Sequence, residues 1–583
     1  MASLTPDQPS GNPPTERGGW WHQYVCPAHG VELEPAGYET GEFPAGGVPC
    51  SYGCRVDTEA VRGAWRVLAH HWWGRRIRLL SHTGEGGELL IRYARLYLEL
   101  TKEGEHEEAQ GWMQRGRLFH QALTDAVWGV PIAHSAKNLA DRGVELAECL
   151  PMLDDMVAGA RLARDAMVAQ DKFSSNYTAW FNALGTVAGQ AAAAIRGEAW
   201  DGATEWLTGE HGQYAHLAVS TAEDGWEWEN STYYHGFVLR AYLLSLRGQD
   251  PTSVPDRLEA MISALAGIAT DGGILPALHD GPYRRVPLAI EWLEIVVLAR
   301  QFTEHHGLDA VGNRARAEVG PGYDGLEDQL DGWFAGPPRQ TEPVDRPTVE
   351  VTNSYAVLRV DGIHALLDHG AHGGSHGHHD KLALYLYGAD TPWQPDAGQV
   401  PYGHAEWRRY YQSAAAHPTI RIDNAEPEEA TGVLLHHGPT SVTAEVSGWY
   451  EGVRAVRHVA AGDGYLVDLV SVEADRDREI VLQFRPDVEL AVQVAPEFVR
   501  TTWSGVEVLH GLHLAADNAV PVTRPAPGPA DDPQRTRTAL DWTVVGASAF
   551  YCSVYHRDAD ALTSVRLVDG GVRVSDTVHR IGG

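Results

Sequence analysis

The period of the hydrophobic pattern changes part-way along the chain, and this change limits the fold more than any other feature. Up to about residue 335, apolar residues recur at intervals of three and four, as in residues 60–73 and 234–248, which predicts amphipathic helices. Beyond residue 348 the pattern alternates with a period of two, as in residues 355–362, which predicts strands. Helices that precede strands, rather than alternate with them, predict segregated α and β domains.

The sequence therefore divides into three predicted parts. Proline-rich residues 334–347 are a predicted linker between a helical domain, residues 56–335, and a β domain, residues 348–583. Repeated helix pairs without a fixed sequence period predict a helical toroid or a layered α-domain rather than a strict solenoid. Short strands separated by regular turn signals predict an antiparallel β-sandwich. Residues 1–55 are predicted to be an N-terminal extension.

Size and charge narrow the range of partners. A chain of 583 residues exceeds what a single hydrophobic core usually supports. Its formal net charge of -32 argues against nucleic acid, because phosphate backbones require a basic surface. No segment approaches the ~20 apolar residues of a membrane span, and the polar start of the sequence has no apolar signal region. We expect a cytoplasmic protein with no membrane partner. The sequence leaves open whether the protein forms a homodimer.

Residues 369–380 (HGAHGGSHGHHD) contain five histidines and four glycines. Histidine is suited both to proton transfer near neutral pH and to zinc binding, and glycine allows tight backbone turns. A predicted strand, residues 381–387, follows directly and would anchor this stretch. The alternative is a solvated loop or a fortuitous metal-binding tract.

A three-ligand metal site is predicted from the end of this stretch. His376 and His378 are two residues apart, so they share a face if the segment is extended. Asp396 and His417 can come from neighbouring strands and join His378, because two histidines and one aspartate are an ordinary zinc ligand set. The alternative is that His417 is a hydrogen-bonded core histidine and Asp396 a turn residue.

Two segments of the helical region place polar residues where helices are predicted to begin. Asn176 follows two serines, and Tyr234 and His235 lie within residues 229–237. Helix beginnings and connecting loops line one open end of a helical toroid, so these residues are candidates for a binding site. The alternative is that Asn176 is a helix N-cap and that the aromatic residues are only packed in the core.

A second metal site is predicted near the start of the chain. Cys26 and His29 form a Cys-x2-His pair, and Cys50 and Cys54 form a Cys-x3-Cys pair. These ligand types occur in zinc knuckles, although the spacing is irregular. The alternative is a loop of reduced cysteines that packs on the helices. Five cysteines are too few and odd in number for a disulfide scaffold.

Together these motifs resemble the heparinase II/III-like polysaccharide lyases, which include alginate and oligoalginate lyase branches. The most specific part is HGHHDKLALYLYG, residues 376–388, which is similar to the family's His-Gly-His-x-Asp-Lys-Leu segment. Further similar segments are residues 175–181, 224–235, 395–398, 408–423 and 450–470. The opening YVCP…CSYGC is similar to exolytic members of the family.

The resemblance implies an incomplete (α/α) toroid followed by an antiparallel β-sandwich, with an active site in the cleft between them. Tyr234 matches the catalytic tyrosine, Asn176 the asparagine that binds the substrate carboxylate, and His376 the active-site histidine. The residues that match a metal site, usually zinc, are His378, Asp396 and His417. The residues expected to contact substrate are Tyr177, His235, Arg408 and Tyr402. Several members have a histidine where this sequence has Tyr177.

Such enzymes cleave the bond next to a uronic acid by β-elimination and leave an unsaturated uronic acid. Donors from Asn176 and His376 would neutralise the carboxylate and stabilise the developing enolate. Tyr234 would remove the C5 proton and protonate the departing oxygen. This role requires a lowered tyrosine pKa, which His235 or an arginine could provide. A zinc ion would orient the loop of His376 rather than polarise the substrate.

We therefore expect an exolytic lyase that acts on uronate-containing oligosaccharides, with the identity of the polymer left open. One alternative is a glycoside hydrolase on a similar toroid, which would need paired carboxylates such as Glu227, Glu229 and Asp280. The other alternative is a protein that binds uronates without catalysis, or that stores metal.

Overall fold

A computed structural model describes residues 11–110, 113–281, 286–303, 305, 307–319, 346–515, 519–561 and 564–582. Most of the predicted linker, residues 334–345, lies outside the described residues.

The first half of the described chain is helical. Its α-helices are α1 (Glu59–His82), α2 (Gly87–Thr101), α3 (Ala122–Asp141), α4 (Leu150–Ala169), α5 (Asn176–Arg196), α6 (Gln213–Ser220), α7 (Thr232–Leu246), α8 (Arg257–Ile268), α9 (Val286–Ala299) and α10 (Gly307–Val319). They share one apolar core, whose largest fully buried side chains include Trp73, Trp128 and Trp180. Among the residues described, no helix is long and apolar enough to cross a membrane.

Polar side chains fix where the helices that matter for the site begin. Ser175 precedes α5 and accepts a hydrogen bond from the backbone N–H of Tyr177 at 3.4 Å. Ser231 precedes α7 and accepts one from the N–H of Tyr234 at 3.3 Å. Asn176 is therefore the first residue of its helix and not the N-cap.

The second half consists of strands and one further α-helix, α11 (Ala405–Gln412). After the short pair β1 (Val48–Pro49) and β2 (Arg55–Val56), the strands are β3 (Val349–Val351), β4 (Tyr355–Val360), β5 (Ile363–Asp368), β6 (Leu384–Tyr387), β7 (Pro392–Gln394), β8 (Ile420–Ile422), β9 (Val433–His437), β10 (Ser441–Ser447), β11 (Val453–Ala461), β12 (Tyr465–Phe484), β13 (Glu489–Val494), β14 (Val499–Ser504), β15 (Val508–Ala515), β16 (Val520–Pro527), β17 (Thr536–His556), β18 (Val565–Val568), β19 (Gly571–Val574) and β20 (Thr577–Arg580).

These strands form antiparallel sheets. One sheet has the order β3-β4-β5-β6-β7, and a larger sheet has the order β13-β14-β15-β17-β12-β11-β10-β9, with β16 beside β17 and β8 beside β12. The two sheets share a core that includes Leu358, Leu384, Val470 and Trp542. The prediction of helices followed by an antiparallel β-sandwich is confirmed.

The five-stranded sheet is buried on both faces. Alternate residues such as Leu367 and Leu384 point into the sandwich core. The intervening residues, such as Leu366 and Tyr385, pack with Trp226 and other residues of the helical half. Because period two places successive side chains on opposite faces, this sheet joins the helical half to the larger sheet. The loop that carries His376 connects β5 and β6 of this sheet.

Residues 18–56 pack on α1 rather than standing apart. Their apolar residues, including Tyr24, Leu33 and Val48, share a small core with Trp65 of α1. The indole N–H of Trp65 donates a hydrogen bond to the carbonyl of Ala36 at 2.7 Å. We call residues 18–56 the N-terminal segment.

Candidate active site

A cavity of about 600 Å³ lies between the helical half, the β half and the N-terminal segment. It is larger than a single sugar ring and has the size of a typical ligand pocket. The predicted site residues that line it are Asn176, Tyr177, Tyr234, His376, Tyr402 and Arg408. The first and last of these residues are more than 200 positions apart in the sequence, and the fold brings all of them to the wall of one cavity.

Tyr234 lies in the first turn of α7 and reaches across to the β half. Its ring stacks on the imidazole of His376, with 3.6 Å between ring centroids. Its hydroxyl lies 2.8 Å from the hydroxyl of Tyr402. The tyrosine and histidine that the sequence identified separately are therefore in direct contact.

Asp280 is the shared acceptor beneath this pair. It accepts two hydrogen bonds from the guanidinium of Arg408, at 3.1 and 3.0 Å, and one from the hydroxyl of Tyr402 at 2.8 Å. It also accepts from Nδ1 of His376 at 2.8 Å and from Nε2 of His378 at 3.3 Å. Asp280 thus orients four side chains of the site at once.

The groups around Asp280 stabilise its negative charge. Burial alone would raise the pKa of Asp280, but Arg408 and His376 hold it well below its ordinary value. Since the hydroxyl of Tyr402 donates to this carboxylate, its oxygen is available to accept from Tyr234. Tyr234, Tyr402 and Asp280 therefore form one hydrogen-bonded chain.

The pKa of Tyr234 is not lowered, contrary to the expectation from the sequence. Burial, followed by the nearby Asp280 carboxylate, raises the pKa of Tyr234 well above its ordinary value. In the free protein Tyr234 is a neutral phenol. Its hydroxyl proton must move before the oxygen can act as a base.

The prediction that His235 contacts substrate or acts as a nearby cation is wrong. His235 is fully buried, and its ring stacks on Trp226. One ring nitrogen accepts from the backbone N–H of Glu227 at 3.3 Å, and the other donates to the carbonyl of Met261 at 2.9 Å. Burial lowers the pKa of His235 to about 4, so the ring is neutral.

Glu229 lies beside Asn176 in the cavity wall. The side-chain amide of Asn176 donates to both carboxyl oxygens of Glu229, at 3.3 and 3.1 Å. Nε2 of His376 lies 3.7 Å from the same group. Burial raises the pKa of Glu229 and outweighs the opposite effects of His376 and Asn176. The raised pKa favours the protonated form of Glu229, which is an additional hydrogen-bond donor at this wall.

Tyr177 lines the cavity as expected, but its hydroxyl is already hydrogen-bonded to another side chain of the cavity wall. It accepts a short hydrogen bond from the side-chain amide of Gln121. Burial raises the pKa of Tyr177 well above its ordinary value. Tyr177 is therefore a neutral hydrogen-bonding side chain and not a substitute for a histidine base.

His378, Asp396 and His417 converge in the buried interior behind His376. Nδ1 of His378 lies 3.0 Å from Nε2 of His417, and Oδ1 of Asp396 lies 3.7 and 3.3 Å from these atoms. The other nitrogen of His378 donates to Asp280, and that of His417 donates to the carbonyl of Ser413 at 2.8 Å. When both rings are neutral, the two facing nitrogens therefore both present lone pairs, which repel each other unless a proton or a metal ion lies between them.

This arrangement fits a metal ion. Tetrahedral ligands at about 2.0–2.1 Å from zinc lie about 3.3–3.4 Å from one another, within the observed range. The outer hydrogen bonds that fix both imidazole rings are typical of metal-binding histidines. The three residues could hold a metal ion, and Asp280 would connect it to His376.

The family of the β half follows from comparison with known proteins. Residues 353–509 match the family model described as Heparinase II/III-like, C-terminal. This part of the chain is therefore similar to a heparinase II/III-like C-terminal domain. The matched residues include His376, His378, Asp396, Arg408 and His417. No curated protein matches this chain.

Solved structures show that the fold of the whole chain resembles that of heparinases. A heparinase III has 15% sequence identity and a TM-score of 0.57, and the match covers 92% of this chain and 85% of that chain. The heparan sulfate lyase HepC from Pedobacter heparinus has 14% identity and a TM-score of 0.60, with 90% and 83% covered. The helical toroid before the heparinase II/III-like domain is thereby confirmed.

Sequence reasoning missed two parts of the site. Asp280 was considered only as a hydrolase carboxylate, because nothing in the sequence links it to the heparinase II/III-like segment. Trp20, Trp21 and His22 of the N-terminal segment line the cavity without any sequence signal. The ring of His22 stacks on Tyr402, with 4.1 Å between centroids.

A further buried polar cluster supports the loop of His376. Lys381 forms a short ion pair with Asp368 and lies 3.6 Å from Asp380, and His279 lies 3.4 and 3.3 Å from these two carboxylates. The backbone N–H of His279 donates to Asp396 at 2.8 Å. The two basic side chains balance the two carboxylates. This cluster is therefore a structural network beside the candidate metal ligands.

Proposed function

We propose that the protein is a polysaccharide lyase that cleaves uronate-containing glycans by β-elimination. The observation that carries this proposal is the contact between Tyr234 and His376 in the wall of a cavity that Asn176 also lines. The heparinase II/III-like domain and the lyase folds of the solved relatives support it.

The chemistry requires that the uronate carboxylate be neutralised before the C5 proton is removed. Asn176 and His376 can donate to that carboxylate, and a protonated Glu229 adds a third donor. Such fixed donors stabilise the enolate that develops in the transition state. The wall that binds the carboxylate is then adjacent to Tyr234, because His376 contacts both groups.

Tyr234 takes the C5 proton and returns a proton to the leaving oxygen. The raised pKa means that its own proton must first move along the hydrogen bond to Tyr402. Tyr402 lies within hydrogen-bond distance of both Asp280 and Nδ1 of His376, at 2.8 and 3.1 Å. A proton that leaves Tyr234 therefore passes to the hydroxyl of Tyr402, which in turn gives its own proton to the carboxylate of Asp280.

The three carboxylates proposed for the alternative of a glycoside hydrolase do not suit that reaction. Asp280 is bound by five donor groups and its pKa is held low, so it cannot act as a general acid. Glu227 and Glu229 lie on one loop, where the N–H of Glu229 donates to Glu227 at 2.9 Å. Hydrolysis needs two carboxyl groups on either side of the scissile bond, which this arrangement does not offer.

The test is the type of product. The purified protein is incubated with oligosaccharides of heparan, chondroitin, hyaluronan and alginate types. Elimination forms a C4–C5 double bond conjugated with the carboxylate, which absorbs in the ultraviolet, whereas hydrolysis forms only a new reducing end. Reducing ends that accumulate without this absorbance would support a hydrolase, and binding without any product would support a non-catalytic protein.

We also propose that cleavage is exolytic. The N-terminal segment lines the cavity beside α1 and touches Tyr402, so it occupies one side of the site. A glycan chain that ends against this wall is cleaved near its terminus. The solved relatives are named for heparin and heparan sulfate, which makes a glycosaminoglycan the first substrate to examine.

Substitution of Glu229 by glutamine gives a pH-dependent prediction. The wild-type carboxyl is a donor only while protonated, and above its raised pKa it becomes an anion that repels the uronate. The amide of Glu229→Gln stays neutral. We expect the ratio of wild-type to variant kcat/KM to decrease as pH rises. A ratio that stays constant with pH would contradict this role.

We propose that His378, Asp396 and His417 bind zinc, which would hold the loop of His376 in place. When bound, the ion would supply a fixed positive charge next to Asp280. We expect His417→Ala to lose one zinc equivalent per chain and to unfold at a lower temperature, measured by elemental analysis and calorimetry. The exposed His437 on β9 gives a matched control, His437→Ala, with unchanged zinc content.

A further inference from the structure

The four ligand-type side chains of the N-terminal segment form a closed cluster. We infer that Cys26, His29, Cys50 and Cys54 bind a structural zinc ion that fixes the N-terminal segment as a wall of the cavity. The metal site stands on its own geometry. Its effect on product length rests on the proposed exolytic function.

The distances within the cluster match tetrahedral zinc. Nδ1 of His29 lies 3.4 Å from the sulfur of Cys26, 3.6 Å from that of Cys50 and 3.5 Å from that of Cys54. With zinc at about 2.3 Å from sulfur and about 2.1 Å from nitrogen, a tetrahedral site places these atoms about 3.6 Å apart. Three thiolates and one imidazole fill all four positions, which is typical of a structural rather than a catalytic zinc site.

Packing alone does not explain this convergence. One imidazole nitrogen can make a single hydrogen bond along its lone pair or its N–H direction, yet Nδ1 of His29 contacts three sulfur atoms. Cys26, Cys50 and Cys54 are all free thiols, so no disulfide accounts for their proximity. A cation at the centre of the cluster satisfies all four groups together.

The backbone around the cluster is shaped as two tight turns. The N–H of Gly30 donates to the carbonyl of Cys26 at 2.8 Å, and that of Gly53 donates to the carbonyl of Cys50 at 2.9 Å. Both glycines have positive φ values, +73° and +83°, which other residues rarely adopt. The N–H of Tyr52 points at the sulfur of Cys50 at 3.5 Å, which favours a thiolate there.

The cluster is joined directly to the active site. Cys26 follows His22 by four residues, and His22 stacks on Tyr402. The backbone N–H of Gly403 donates to the carbonyl of His22 at 3.0 Å. A metal ion that fixes Cys26 therefore fixes the aromatic ring that packs against Tyr402, the hydrogen-bond partner of Tyr234.

The cluster also contacts the β half. Gly30 packs so closely on Trp407 of α11 that a Cβ atom at Gly30 would clash with the indole ring. Arg408, which follows Trp407 in α11, binds Asp280. The side-chain amide of Gln534 donates to the carbonyl of His29 at 2.9 Å. The zinc cluster thus holds the N-terminal segment against the helix that supplies Arg408.

The first test is metal content. Zinc is measured per chain in the wild type, in Cys50→Ser and in Cys149→Ser, a control that removes a buried thiol of the helical half. We expect Cys50→Ser to contain one equivalent less than the wild type and Cys149→Ser to be unchanged. Equal zinc in Cys50→Ser and wild type overturns the site.

A spectroscopic test covers the case in which Cys50→Ser does not fold. Wild-type protein and His417→Ala are loaded with cobalt in place of zinc. Cobalt bound by thiolates gives intense charge-transfer absorption, which histidine and aspartate ligands do not give. We expect this absorption in both proteins. Its absence from cobalt-loaded protein overturns the site.

The second test concerns the wall. In Cys50→Ser, we expect limited proteolysis within residues 18–56 to be at least about tenfold faster than in Cys149→Ser, because the segment loses its cross-link. We also expect longer unsaturated fragments from the same oligosaccharide. Unchanged proteolysis and unchanged fragment lengths would overturn the proposal that zinc fixes the N-terminal segment as a wall of the cavity. If the wild type forms no unsaturated product, the proposed function fails, and zinc content and proteolysis still decide this inference.

Discussion

Tyr234→Phe should abolish turnover while the protein stays folded. The substitution keeps the ring that stacks on His376 and removes only the hydroxyl that contacts Tyr402. Loss of a group that acts as base and acid should lower kcat by about 10³-fold or more. Loss of one buried hydrogen bond should lower the free energy of unfolding by only about 1 kcal/mol. Initial rates of unsaturated-product formation and urea denaturation measure the two effects.

The matched control is Tyr214→Phe, which removes a half-buried tyrosine hydroxyl of the helical half away from the cavity. It should have the activity of the wild type. Near-normal activity in Tyr234→Phe would exclude this tyrosine as the proton-transfer group. A large loss in both variants would mean that the assay reports folding rather than chemistry.

The sequence predicts the site residues better than their partners. The spacing and residue types of residues 376–388 are local features, so they identify His376 and His378 without a structure. The contact between Asp280 and Arg408 joins residues 128 positions apart, and no local pattern records it. The same holds for His22 and Tyr402, which meet only because the N-terminal segment folds back on the β half.

The error about His235 has a simple geometric cause. Successive residues of a helix point about 100° apart, so the neighbour of a residue that faces a cavity faces elsewhere. Tyr234 faces the cavity, and His235 faces Trp226 in the interior. Adjacency in the sequence therefore argues against shared function within α7. One of the two cations expected to lower the tyrosine pKa, His235, was chosen for that adjacency; the other was an arginine.

The second large effect is expected for Asp280→Asn. Asp280 is 1% exposed, and its carboxylate neutralises the guanidinium of Arg408 while accepting from Tyr402 and His376. Asparagine has the same size but only one acceptor oxygen. Its NH2 group would face the N–H and O–H donors that now bind the second carboxylate oxygen. Removal of one member of a buried ion pair costs about 3–5 kcal/mol, because the partner charge stays buried. We expect a loss of that size in the free energy of unfolding, with loss of turnover.

Two further variants distinguish the effect of losing a buried charge from the effect of replacing any aspartate by asparagine. Asp154→Asn breaks an exposed pair with Arg196, 2.6 Å apart, and should cost less than about 1 kcal/mol. The double variant Asp280→Asn/Arg408→Gln removes both buried charges, so it should be more stable than Asp280→Asn alone but equally inactive. Recovery of turnover in the double variant would show that the pair only supports folding. Equal stability of the single and double variants would show that Arg408 is not the charge that Asp280 neutralises.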